Sequence, residues 1–338
     1  LPRYHPLSDM KKTLKDVGEF RLIDAIAELD VVSGIGDDCA VWTPPPGHDI
    51  VMTTDALVER VHFHHEWCVY EDIGWKSAAV NLSDLAAMGA EPVALLYGLA
   101  LPARTLVNAV LAIYDGVALC LDSLNLDIRI TGGNVAESPE RMMISVTAVG
   151  IVPTGGAALR SGAKPGDDIW VTGTLGDSAL GLFLLMNRFK KEDWPGWLAL
   201  VDRHLTPTPR VEFGKAARDI VSAMIDVSDG LSGDIGHLCI ESGVGAFIDE
   251  SLLPVSEEAK NVAERILRPV EQWALTGGED YELLMTAHPD RANDLRRAAE
   301  STGTRLTRIG STTTGEMQIR RLDGAIEELE CLSYRHFS

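Results

Sequence analysis

Short strand-like apolar runs alternate with stretches of helical periodicity through the first half of the chain. Residues 50–54 read as a strand ending at Asp55, and 75–88 as a helix stopped by Gly89 and Pro92. The run 93–101 reads as a buried strand. Between 106 and 121, Val107, Val110, Leu111, Tyr114, Val117 and Leu121 fall at helical spacing, with Asn108, Asp115 and Asp122 on the other side. Further strands are expected at 128–131 and 142–152, parted by a turn at Gly132-Gly133.

Around 153–166 the composition shifts to Gly, Ala and Pro, which marks a boundary between two domains, 1–152 and 153–338. The second half predicts strands at 168–172, 223–226, 246–249 and 281–286, and helices at 177–189, 210–222, 230–241 and 289–301, with short strands after them. The Pro- and Trp-rich stretch 190–209 reads as a long connection. Strands alternating with helices indicate an α/β or α+β architecture.

The length, 338 residues, is about twice that of a usual domain and fits this division. Hydrophobic residues at 46% and charged residues at 24% exclude a mainly disordered chain. Thirty basic side chains against 50 acidic ones give a net charge of −20, which argues against nucleic acid or an anionic membrane as the main partner. Cys39, Cys68, Cys120, Cys239 and Cys331 form no CxxC pair, so a reducing compartment is expected rather than a disulfide framework. With no charged-then-apolar leader, and a longest apolar run about half a membrane span, a cytoplasmic, soluble protein is expected.

Five acidic clusters share one design, a carboxylate beside Gly, Ser or Thr at a strand end or helix start. They are Gly36-Asp37-Asp38, Thr53-Thr54-Asp55, Ser83-Asp84, Asp226-Val227-Ser228-Asp229-Gly230 and Gly277-Gly278-Glu279-Asp280. Any one of them reads as a helix cap or turn. Together they read as oxygen ligands for more than one divalent ion, because Mg²⁺ accepts carboxylates, a hydroxyl and phosphate oxygens at once. The chain carries no GxxxxGK[ST] loop, and Gly34-Ile35-Gly36 lacks the third glycine of a dinucleotide fingerprint. Use of ATP would then depend on metal rather than on a P-loop lysine.

Other residues carry two readings each. His62 and His64 would share one face of a strand, and with His65 they suggest surface placement or a substrate hydrogen bond rather than zinc. Arg160, in a glycine-flanked loop, is a phosphate clamp or part of a linker turn. Tyr334 is a packed tail anchor or an aromatic platform. No GxSxG occurs and no Cys adjoins a His, which leaves nucleophilic catalysis without support.

Gly34–Ala40, Thr53-Thr54-Asp55, Val61-His62-Phe63, Ala79–Ala90, Arg160–Asp167, Asp226–Leu231 and Gly277–Leu283 stand in the order of one known family. In these motifs the chain resembles the thiamine-monophosphate kinase family, within the superfamily of aminoimidazole-ribonucleotide synthetase-like ATP-using enzymes. The resemblance implies a homodimer whose N-terminal domains pair mixed sheets into a barrel, with an α/β C-terminal domain closing over the substrate. It implies phosphorylation of thiamine monophosphate by ATP, giving thiamine diphosphate by direct in-line transfer. It assigns Asp38, Thr53, Thr54, Asp55, Asp84, Asp226 and Asp229 to several Mg²⁺ ions, and Gly133, Asn134, Arg160 and Ser228 to ATP. His62, Glu279 and Tyr334 are assigned to thiamine monophosphate, and assistance by K⁺ is left open. The family has Gly-Gly-Asp where this chain has Gly132-Gly133-Asn134, so one metal carboxylate is replaced by an amide, weakening that site or leaving Glu137 to stand in. The alternatives are a sister synthetase of the superfamily that activates an amide or carbonyl oxygen, and a noncatalytic ion- or nucleotide-binding module.

Overall fold

The computed structural model describes residues 11–35 and 39–332. Two compact units form, one from the described residues up to Leu85 with Glu91–Ile151, the other from Ala86–Ala90 with the described residues from Val152 onward. Helices and strands mix in both.

The first unit opens with α1 (Leu14–Val17) and α2 (Glu19–Ala27). Strand β1 (His48–Val58), helix α3 (Tyr70–Ala87), strand β2 (Glu91–Leu101), helix α4 (Val107–Ser123), and strands β3 (Arg129–Glu137) and β4 (Met143–Pro153) follow. The strands form one open sheet in the order β1-β4-β2-β3, with β2 antiparallel to β4 and parallel to β3. Alternation along β2 and β4 sorts the two faces. Leu95, Tyr97, Leu99, Ile144, Val146 and Ala148 are buried, and helices α3 and α4 reach that side through Ser77 and Tyr114 against Tyr97. Leu96, Gly98, Ser145 and Thr147, pointing the other way, stay half-buried.

Gly132-Gly133 makes no turn. Strand β3 runs through both glycines, with Gly133 opposite Tyr97 and a register shift between Leu95 and Leu96. A Cβ on Gly133 would meet the Tyr97 carbonyl oxygen at 2.0 Å, so glycine here permits close strand approach. The loop between β3 and β4 lies after Glu137 instead.

The second unit contains β5 (Asp168–Thr172), α5 (Asp177–Met186), α6 (Trp197–Leu205), α7 (Val211–Ala217), β6 (Ala223–Val227), α8 (Leu231–Ser242) and β7 (Gly245–Asp249). Then come α9 (Glu257–Arg265), α10 (Val270–Thr276), β8 (Glu282–Ala287), α11 (Ala292–Ser301), β9 (Leu306–Thr313), β10 (Gln318–Arg320) and β11 (Ile326–Glu328). Its mixed sheet has the order β11-β10-β7-β9-β5-β8-β6, and Ile169, Val171, Ile225, Ile235, Leu238 and Leu284 centre its core. The stretch 190–209 is not a plain connection, because α6 forms inside it and buries Leu200, Val201 and His204 along one face. Helices α9 and α10 fill a part of the chain for which the sequence reading had no element.

All five cysteines are free thiols. No helix among the described residues is long and apolar enough to cross a membrane.

Candidate functional site

In the first unit, α3 carries a polar stripe in which Ser77 and Asn81 are fully buried and Asp84 half-buried. The i, i+4, i+7 spacing puts all three on one face. Two of them meet β1. The Thr53 hydroxyl donates to Asp84 Oδ2 at 2.5 Å, and Asn81 Oδ1 accepts the Asp55 amide at 3.0 Å. Asn81 is held in turn by donating to the Ser77 carbonyl at 3.0 Å. Asn81 escaped the sequence reading, although the stripe itself was the available signal. The Thr54 side chain points elsewhere, donating to the Val146 carbonyl at 2.9 Å and accepting from Thr147 at 3.2 Å. Thr53 and Thr54 therefore face different neighbours, as alternation along a strand demands.

Gly133 and Asn134 line a groove of about 1180 Å³ over the half-buried sheet face, with Leu96, Gly98 and Thr147. Glu137, on the same strand, is exposed.

His62 and His64 do not share a strand, since β1 ends at Val58 and the chain turns back there. The Val58 amide donates to His62 Nδ1 at 3.1 Å, so the neutral ring carries its proton on Nε2. His64 packs on Trp67 and His65 on Tyr70, and no zinc cluster assembles from them.

In the second unit, Asp226 is buried at the end of β6, while Ser228 and Asp229 are half-buried in the turn before α8. That turn is held by Asp234, a residue the sequence reading did not single out. Its Oδ2 accepts the amides of Ser228, Asp229 and Gly230 at 3.1, 3.2 and 3.1 Å. Burial, helped by the charge of Asp229, pushes the Asp234 carboxyl up to about 7.

The loop carrying Gly277–Asp280 lies directly on this turn. The Glu279 amide donates to the Ser228 carbonyl at 2.7 Å and the Tyr281 amide to the Val227 carbonyl at 2.9 Å. Two motifs distant in sequence thus form one surface, and Glu279 sits at φ +65°, in the left-handed region that side chains other than glycine rarely adopt. Arg160 is exposed, and its carbonyl accepts from the Ser242 hydroxyl at 2.9 Å.

Asp38 and Tyr334 lie outside the described residues. Among those described, no group of three or more His, Cys, Asp or Glu surrounds a point where a metal ion would sit. The donor chemistry nevertheless fits Mg²⁺, a hard cation commonly bound by one or two carboxylates with substrate phosphates completing its shell. The Thr53–Asp84 pair offers such oxygens.

Residues 36–152 match the family AIR synthase related protein, N-terminal domain, and 164–322 match AIR synthase related protein, C-terminal domain. The thiamine-monophosphate kinase of Escherichia coli (strain K12) is 41% identical over 333 residues, covering 95% of this chain and 98% of that protein. Among solved structures, thiamine-monophosphate kinase from Stenotrophomonas maltophilia K279a is similar with a TM-score of 0.79 and 39% identity, over 92% of this chain and 96% of that one. AaThiL complexed with AMPPCP and TMP is similar with a TM-score of 0.77 and 38% identity, over 96% of this chain and 98% of that one.

Proposed function

Because the chain belongs to the thiamine-monophosphate kinase family, we propose that it transfers the γ-phosphoryl group of ATP to thiamine monophosphate, yielding thiamine diphosphate and ADP. The observation that carries this reading is similarity over nearly the whole length to such kinases, including a relative solved with AMPPCP and TMP.

The acceptor is a phosphate monoester with a second pKa of about 6, so it is already anionic at neutral pH and needs no general base. What remains is to align two phosphates for in-line attack against their repulsion. In the first domain, Gly133 and Asn134 would border the nucleotide, and His62 would donate from Nε2 to the vitamin phosphate. In the second, Arg160 and Ser228 would contact ATP. Glu279 would face the positive thiazolium, and Tyr334 would add an aromatic surface. Asp38, Thr53, Asp55 and Asp84 of the first domain, and Asp226 and Asp229 of the second, would hold Mg²⁺, with Thr54, whose hydroxyl is turned to Val146 and Thr147, able to offer only its main-chain oxygen. When bound, that ion offsets charge on the phosphates, which is how a chain of net charge −20 accepts anionic guests.

A homodimer is part of the proposal. It is supported by β1, which forms a sheet edge with Ile50 and Met52 exposed, and by the half-buried sheet face beside it. Pairing of two such sheets into a barrel would cover both.

Turnover with thiamine monophosphate, set against a panel of amide, carbonyl and other phosphate acceptors, tests the reading. ADP formation that depends on thiamine monophosphate is expected. Preference for an amide or carbonyl acceptor would indicate a sister synthetase, and no turnover with any acceptor would indicate a binding module.

A further inference from the structure

Glu279-Asp280-Tyr281-Glu282 places three carboxylates in one short stretch, and the fold treats each differently. Glu282 is fully buried and accepts from Arg203, Arg210 and Thr172 at 2.6–2.7 Å. Asp280, also fully buried, accepts the amides of Gly176 and Ser178 at 2.7 and 3.2 Å, where α5 begins. Only the Glu279 side chain keeps contact with solvent, at 23% exposure. Its Oε2 lies 3.2 Å from Nδ1 of His204, a nearly buried ring on α6.

We propose that His204 is a positioning residue for the vitamin substrate, holding the Glu279 carboxylate in the orientation that receives the cationic ring. This rests on the functional reading above, in which Glu279 contacts thiamine monophosphate. A carboxylate only accepts, so the contact requires the proton on Nδ1. Ser178 Oγ on α5 lies 3.1 Å from the same nitrogen, so with the proton on Nδ1 the hydroxyl oxygen accepts and shares that N–H with Glu279. The Glu279 main chain is already fixed by the hydrogen bond its amide donates to the Ser228 carbonyl, so the remaining freedom lies in the side-chain torsions. A packed ring with Nδ1 3.2 Å from the carboxylate oxygen restricts them. His204 meets the buried Ser178 hydroxyl and, of the three carboxylates, it faces the one that reaches solvent.

Steady-state kinetics and calorimetric binding of thiamine monophosphate to His204→Leu, His204→Asn, His204→Gln and Glu279→Gln, with melting curves for each, test this. His204→Leu should raise the KM and Kd for thiamine monophosphate by about 3–10-fold, the cost of ordering one side chain, with the KM for ATP unchanged. Asn places its amide where Nδ1 stands and should restore near wild-type values. Gln, whose amide reaches the Nε2 position, should not. This pair decides the matter if His204→Leu does not fold. Combined with Glu279→Gln, loss of His204 should add nothing further. Equal behaviour of Asn and Gln, or parallel changes in the KM for both substrates, would overturn the proposal. A raised KM in Glu279→Gln beside wild-type values in the histidine variants would overturn it alone, whereas an unchanged KM in Glu279→Gln would remove the functional reading beneath it.

Discussion

The amide of Glu279 donates to the carbonyl of Ser228 at 2.7 Å, joining the loop assigned to the vitamin to the turn assigned to the nucleotide. Gly278 makes this approach possible, since a Cβ there would lie 2.8 Å from the same Ser228 oxygen. Gly278→Ala should therefore part the two segments and raise the KM for ATP and for thiamine monophosphate together. Initial-rate kinetics with each substrate varied in turn would show it, and a change confined to one substrate would count against this coupling.

Gly133→Ala should act on stability. The added methyl group meets the Tyr97 carbonyl at 2.0 Å and must spread β2 from β3. A loss of about 1–3 kcal/mol is expected, as for other overpacked positions, measured by urea denaturation.

These two glycines show where sequence reading succeeds and where it stops. Strands at 93–101 and 142–152, and the helix through Asp84, were legible because period and flanking punctuation are local properties. A glycine pair signals a turn by the same local logic, and only the nearness of Tyr97 reveals Gly132-Gly133 as strand interior. Helix α6 was hidden by the Pro and Trp residues around it, though Leu200, Val201 and His204 mark its buried face. The candidate residues could be named from motifs, but their partners could not. The pairing of Asn81 with Asp55 and of His204 with Glu279 is tertiary, with nothing in one partner's spacing that names the other, whereas Asp234 reaches back only four to six residues to the Ser228 turn.

Asn134, where the resemblance implies an aspartate, is exposed on β3 and lines the groove. If position 134 faces the metal, Asn134→Asp adds a charged oxygen there and should lower the Mg²⁺ concentration for half-maximal activity by about 3–10-fold, in keeping with a carboxylate's advantage over a neutral oxygen. Mg²⁺ titration of initial rates measures this, and an unchanged requirement would show that the amide costs nothing.

Asp280 should leave a mark on the pH dependence of stability. Burial pushes its carboxyl up to about 8, against the opposing pull of the Gly176 amide and Arg203. The folded chain thus keeps a proton that the unfolded chain releases at an ordinary carboxylate pKa of about 3.9. Its stabilising contribution is complete below that ordinary value and is lost as the pH rises through about 8. Asp280→Asn does not titrate, so the stability of wild type relative to the variant should fall between about pH 5 and pH 8. Melting curves of both proteins across this range measure the difference, and a constant gap would contradict the assignment.

Direct phosphoryl transfer is tested most sharply by rapid-quench single turnover with γ-³²P-labelled ATP, Mg²⁺ and thiamine monophosphate. The label should appear in thiamine diphosphate in step with ADP formation and never on the protein. Labelled protein formed ahead of the product, or ADP formed without labelled thiamine diphosphate, would contradict it.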